Sequence, residues 1–274
     1  MATKRFGVAL VTGAAQGIGK AIALRLAKDG FKVAVNDIAS KSEQLQSLSQ
    51  DIERLSGQAS IPVVADISKE VDVENMVNKV AKTLGGLNVM VANAGVVTRS
   101  KEMVDYTTED WEKVFAVNIR GVFLSYKYAA KQMIAQGQGG RILGASSIAG
   151  RKAGFETSAY CASKFAVRGL TQSAGKPDVV HVQRRTEFFP KALELGKYGI
   201  TVNAYAPGFT KTSLNESFWD DPDSLARKYG IAVPPYFKMG QPEYIASLVS
   251  YLASEEAHYI TGQTISPNGG VLFD

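Results

Sequence analysis

Short apolar runs alternate along the chain with longer segments in which apolar residues recur every three or four positions. FGVALVTG, FKVAVND, ASIPVVADIS, LNVMVANAG, RILGASSIAG, GITVNAYAPG and GQTISPNGG read as strands. Between them, GIGKAIALRLAKDG, KSEQLQSLSQDIERLSG, VDVENMVNKVAKTLGG, YCASKFAVRGLTQSA and PEYIASLVSYLAS have the helical period. TTEDWEKVFAVNIRGVFLSYKYAAKQMIAQ reads as one long helix or two. The strand runs are nearly continuous in apolar residues, as expected of strands buried on both faces. With helices between them and right-handed crossovers, the pattern predicts a doubly wound parallel sheet, an α/β Rossmann-like fold in one domain spanning residues 1–274.

Two segments fall outside this rhythm. Phe209 to Gly240 has neither period and reads as a substrate loop. The other interrupts the helix that begins YCASKFAVRGLTQSA: Pro177 lacks the N–H a helix needs, yet KALELGKYG from Lys191 is helical again. Removing the 17 residues from Gly175 to Lys191 joins Ala174 to Ala192 and leaves one continuous amphipathic helix ending at Gly199. Gly175-Lys176 can be encoded GGTAAG, which contains a common intron start, and Lys191-Ala192 can supply a closing AG in the same phase. The segment is therefore read as a retained, in-frame intron. The rival reading is a genuine surface loop with a binding role for Arg184, Arg185, Phe188 and Phe189.

Composition narrows the function classes. Hydrophobic residues make up 45% and charged residues 21%, an ordinary globular balance. The net charge of +5 is scattered, with no basic stripe for nucleic acid. The lone Cys161 fits a reducing compartment, and His181 and His258 have no partners at metal-ligand spacing, so no metal site is expected. The N-terminal apolar run is too short for a signal peptide, and no stretch approaches the about 20 apolar residues of a membrane span. The expectation is a cytoplasmic protein that engages neither membrane nor nucleic acid.

The first strand runs into TGAAQGIG, Thr12 to Gly19. Gly13, Gly17 and Gly19 let the backbone approach a pyrophosphate at the start of the next helix, where free N–H groups and the dipole favour anions. Gln16 and Ile18 belong to the same cofactor-binding turn. Asp37 ends the second strand, 18 residues beyond Gly19, near the spacing at which an acid takes the ribose hydroxyls. An acid there repels a 2′-phosphate and no Arg follows it, so NAD(H) is favoured over NADP. Asp66, at the end of the third strand, is assigned to the adenine, and Asn93-Ala94-Gly95, at the end of the fourth, to the cofactor ribose.

Tyr160 and Lys164 are four apart on one helix face. A neighbouring ammonium favours the phenolate, which suits Tyr160 to general acid/base work at a substrate oxygen. Ser147 ends a strand 13 residues earlier, close enough in the chain for its hydroxyl to hold the same oxygen. Asn118 sits in a helical stretch where Asn is a poor helix former; it is either a buried amide bonding backbone or part of the site.

TGAAQGIG, NAG, the Asn of VNIRG, the Ser of SSIAG, YCASK and the PG of YAPGFTKT fall in one order, and the chain resembles the short-chain dehydrogenase/reductase family over nearly its whole length. The resemblance implies Asn118, Ser147, Tyr160 and Lys164 as the catalytic four, with Asn118 helping to hold a water in a proton relay through Lys164. Tyr160 and Lys164 also contact the cofactor, and Pro207, Gly208, Thr210 and Thr212 match the segment on its nicotinamide side. Within the family the likeness is to acetoin/diacetyl reductases, or 2,3-butanediol dehydrogenases, through VALVTGAAQGIGKAIALRLAKDGF, SKFAVRGLTQ and YLASEEAHYITGQ. The expected activity is NAD(H)-dependent interconversion of a secondary alcohol and a ketone, with diacetyl, acetoin and 2,3-butanediol as candidate substrates. A 3-oxoacyl reductase, a sugar/polyol dehydrogenase and a catalytically idle NAD-binding scaffold are the alternatives. In the family the interrupted helix forms part of the subunit interface, so a homotetramer or homodimer is expected, loosened by the insert.

Overall fold

A computed structural model describes residues 7–175, 194–213, 216 and 238–273. These build a parallel seven-stranded sheet in the order β3-β2-β1-β4-β5-β6-β7. The strands are β1 (Val8–Thr12), β2 (Lys32–Asp37), β3 (Ser60–Val64), β4 (Val89–Ala92), β5 (Gly140–Ala145), β6 (Ile200–Tyr205) and β7 (Thr264–Ile265). The helices are α1 (Gly17–Lys28), α2 (Ser42–Ser56), α3 (Glu70–Leu84), α4 (Thr108–Phe115), α5 (Val122–Gln136), α6 (Ser158–Gly175) and α7 (Pro242–Ala253). Alternation within the strands divides the core. Val8 and Leu10 of β1 join the layer under α3, α5 and α6, whereas Ala9 and Val11 join the layer under α1, α2 and α7. The doubly wound single domain is as the hydrophobic pattern predicts.

The order reverses between β1 and β4, so the carboxyl ends of these strands open a crevice of the kind where such sheets bind ligands. The long helical stretch resolves into α4 and α5, joined by a π-turn over Ala116–Gly121. Such a turn inserts one residue into the helical ladder and re-aims the side chains on it; Asn118 lies within it. Of the segment read as an insert, only Gly175 is among the described residues, and most of the Phe209–Gly240 loop also lies outside them. Among the described residues no helix is long and apolar enough to cross a membrane.

Candidate active site

The turn after β1 is shaped by what a side chain would strike. Gly13 has φ +63°, and a Cβ there would lie 2.8 Å from the Cα of Ala94. A Cβ on Gly19 would lie 2.1 Å from the Gly13 carbonyl oxygen and 2.6 Å from Asn93 Nδ2. Helix α1 therefore packs directly on the turn that introduces it. No side chain caps its N-terminus and its first turn holds no acid. That donor set, a helix dipole with uncapped N–H groups behind a glycine turn, fits the pyrophosphate of a dinucleotide. Ile18 packs against the core beneath.

Asp37 is drawn into the same turn: its carboxylate accepts from Ala15 N–H at 3.1 Å and from Ile38 N–H at 2.9 Å. Lys41, four residues on, donates to Gln16 Oε1 at 3.3 Å. Among the described residues, the edge beside Asp37 thus has no arginine but does hold a base, the Lys41 ammonium. Asp66 accepts from the backbone and hydroxyl of Ser68 at 3.0 and 2.7 Å, so its carboxylate is oriented by its own loop. Asn93 is engaged at both ends of its amide. Nδ2 donates to the carbonyls of Thr12 and Gly13 at 3.0 and 3.2 Å, and Oδ1 accepts from the Tyr205 hydroxyl at 3.0 Å.

Beyond β5, Ser147 opens a short turn and its Oγ accepts from Ala149 N–H at 3.1 Å. Buried Ser146 donates to the carbonyl of Lys164 at 2.9 Å, tying the strand end to α6. Lys164 is 4% exposed. Its Nζ donates to the Ala145 carbonyl at 2.8 Å and lies 5.5 Å from the centroid of the half-buried Tyr160 ring. Burial pushes the Lys164 ammonium down to about 8.

Asn118 is fully buried. Its Oδ1 accepts from Val96 N–H at 2.8 Å, and its Nδ2 donates to the Val96 carbonyl at 2.9 Å and to Ser163 Oγ at 3.0 Å. Ser163 in turn donates to the Tyr160 carbonyl at 2.7 Å. A Cβ on Gly95 would stand 3.3 Å from both Asn118 Oδ1 and Lys164 Nζ. The π-turn, the end of β4, the end of β5 and α6 thus converge on one spot. Of the two readings of Asn118, the amide does bond backbone, and it does so next to Lys164.

The segment after β6 closes the far side. Pro207 accepts from Ile148 N–H at 3.1 Å, Gly208 N–H donates to Pro267, and Thr210 Oγ1 donates to the Gly208 carbonyl. Thr212 then approaches Gly17, and Gln16 Nε2 donates to Ser213 Oγ at 2.9 Å across the mouth of the crevice. In the loop before α6, Glu156 has φ +57°, and its carbonyl accepts from Lys101 N–H and the Tyr106 hydroxyl. Three supporting residues, Lys41, Ser163 and Tyr205, were not singled out from the sequence. Ser163 lies inside YCASK and Lys41 four residues after Asp37, which are their only sequence signals.

Comparison with known proteins gives the family of this fold. The family profile "short chain dehydrogenase" matches residues 7–181, and the profile "Enoyl-(Acyl carrier protein) reductase" matches residues 191–272. A short-chain dehydrogenase/reductase of Armillaria gallica is 47% identical, covering 97% of this chain and 96% of its own. An L-2,3-butanediol dehydrogenase of Corynebacterium glutamicum is 36% identical over 97% of this chain and 99% of its own. A 3-oxoacyl-[acyl-carrier-protein] reductase of Staphylococcus aureus is also 36% identical, over 96% and 97%. A solved short chain dehydrogenase of Burkholderia cenocepacia in complex with NADP superposes with a TM-score of 0.82 at 33% identity, covering 98% of this chain and 99% of that one.

Proposed function

The chain belongs to the short-chain dehydrogenase/reductase family, and we propose that within it the protein interconverts a small secondary alcohol and its ketone with NAD(H), the acetoin/2,3-butanediol group being the substrate class. The observation that carries the reaction is the placement of a buried ammonium, Lys164, beside Tyr160 at the mouth of a dinucleotide crevice. A bound nicotinamide supplies or accepts the hydride. In reduction Tyr160 gives its phenolic proton to the substrate oxygen, and in oxidation it takes that proton back. Ser147, already oriented by Ala149 N–H, donates to the same oxygen and offsets its developing charge. Lys164 favours the phenolate through its charge and contacts the ribose. Both ends of the Asn118 amide are engaged, by Val96 and Ser163, so it holds the end of β4 and α6 in register around the relay whose water it helps to hold.

Gly13, Gln16, Gly17, Ile18 and Gly19 take the pyrophosphate side, Asp37 the ribose hydroxyls, Asp66 the adenine, and Asn93, Gly95, Pro207, Gly208, Thr210 and Thr212 the nicotinamide half. Asp37 favours NAD(H). Lys41 supports a second reading with NADP, because its ammonium stands at the edge where a 2′-phosphate would be recognised. The chain is expected to be cytoplasmic and to assemble as a homotetramer or homodimer.

The substrate class rests on the likeness to the butanediol dehydrogenase, against an equal identity to a 3-oxoacyl reductase. A panel of diacetyl, acetoin, 2,3-butanediol, polyols and 3-oxoacyl thioesters, followed at the NADH absorbance with both cofactors, decides between them. Turnover of the diketone or its alcohols is expected. Turnover of thioesters alone moves the protein to the acyl reductases, turnover of polyols alone to the sugar dehydrogenases, and none with any substrate leaves the idle scaffold.

A further inference from the structure

Tyr205 is a fully buried tyrosine at the last position of β6, and no step of the reaction uses its hydroxyl. The hydroxyl donates to Asn93 Oδ1 at 3.0 Å, across 112 residues of sequence. Asn93 stands at the end of β4 and spends its two amide protons on the carbonyls of Thr12 and Gly13, the residues that open the glycine turn. That amide can point two ways. In the observed orientation the NH2 group faces two carbonyls and the oxygen faces a donor. Reversed, the oxygen would face both carbonyls and the NH2 group would face the phenol.

We propose that Tyr205 is a positioning residue for cofactor binding: its hydroxyl fixes the Asn93 amide, and the amide braces the Gly13 carbonyl so that the glycine turn holds its shape before the dinucleotide arrives. The proposal rests on the reading of this crevice as a dinucleotide site. Three observations support it. The Gly13 carbonyl sits where a Cβ on Gly19 would fall, so the turn and the first turn of α1 tolerate little displacement. Tyr205 is fully buried, so its hydroxyl without an acceptor would be costly, and the phenol and the brace are coupled. Burial and the neighbouring Tyr126 phenol hold the Tyr205 phenol well above its ordinary range, so it remains a proton donor at every working pH. Preorganisation of this kind acts on affinity, since a turn that is already shaped loses less freedom when the ligand binds.

The test compares NADH binding, by fluorescence titration, in the full chain and in Y205F. Y205F is expected to raise the NADH Kd about tenfold while kcat at saturating NADH stays within twofold, because the ring still fills the core and Tyr160, Ser147 and Lys164 are untouched. Hydrogen exchange should quicken in peptides covering residues 12–22 and stay unchanged in α3. N93S, which shortens the brace but keeps the phenol, should show a similar loss, and the double variant no more than either alone. Should Y205F fail to fold, Y205M, which likewise removes the hydroxyl and keeps an apolar side chain in the core, carries the test in its place, because Asn93 itself lies on the cofactor side. Unchanged Kd in the folded variants, additive losses in the double variant, or exchange quickened evenly across the sheet overturns the proposal. A natural protein that binds neither NADH nor NADPH overturns the dinucleotide reading and this proposal with it; a natural protein that binds while Y205F and N93S bind equally well overturns the brace alone.

Discussion

The ammonium of Lys164 lies 5.5 Å from the centroid of the Tyr160 ring and donates to the Ala145 carbonyl, in a pocket where a side chain on Gly95 would touch it. One helical turn separates the two residues in α6, and the carbonyl that anchors the lysine comes from the end of β5. The pair is thus held from two elements at once, and its chemistry is open to direct measurement.

Replacing Tyr160 by Phe keeps the ring and removes the proton donor. Turnover is expected to fall at least a thousandfold, within the range of general acid/base contributions, while the NADH Kd stays within a fewfold. Stopped-flow and equilibrium titration on the same preparation check it. Binding lost in step with rate would assign Tyr160 a structural role. Cys161, its neighbour, is buried with its thiol 3.4 Å from Thr157 Oγ1, and Cys161→Ser should retain most activity.

Burial holds the Lys164 ammonium at about 8 in the folded protein against an ordinary 10.5. Between about pH 8 and 10.5 the unfolded chain therefore binds the extra proton, and stability contributed at this position rises with pH across that window. Below pH 8 the penalty of burying the charge is fully present. Urea unfolding of the cofactor-free protein and of K164M should show a difference that shifts in favour of the natural protein as pH rises from 8 to 10.5. A difference that is flat or moves the other way contradicts the assignment.

Asp37 accepts from Ala15 and Ile38 N–H groups, and Lys41 reaches Gln16. NADH is expected to bind more tightly than NADPH. Asp37→Ala should narrow the gap by about tenfold or more, and Lys41→Ala, which leaves Asp37 in place, should widen it. Titration with both cofactors reads the two changes. Tighter NADPH binding by the natural protein would refute the NAD preference and favour the Lys41 reading.

Helix α6 runs to Gly175, and Ala174 and Leu195 pack against the same apolar layer from either side of the segment outside the described residues. Removing residues 175–191 brings these two residues close in sequence and is expected to raise the Tm and tighten assembly. It also places Ala192 where Gly175 stands, and a Cβ there would lie 2.6 Å from the Gly262 nitrogen. The shortened chain should therefore be made both as is and with Ala192→Gly. If both melt lower than the natural protein, or lose activity, the segment belongs to the protein. Sequencing of the transcript addresses origin: a predominant mature message carrying all 17 codons rules out the intron.

The sheet, its helices and the order of the motifs were legible in the sequence because they rest on local rules. A strand covered on both faces is apolar at nearly every position, and a helix packed on it must repeat its apolar residues every three or four. The glycine turn and the Tyr160–Lys164 register are likewise set within a few residues of chain. What the tertiary structure alone decided is which buried polar atoms meet. Asn118 finds Ser163 across 45 residues and Asn93 finds Tyr205 across 112, each at the junction of elements whose contact depends on the whole winding order. No composition or period announces such pairs. A buried donor needs an acceptor wherever the fold brings one, so the partner is chosen by the assembled sheet rather than by the residues beside it in the chain.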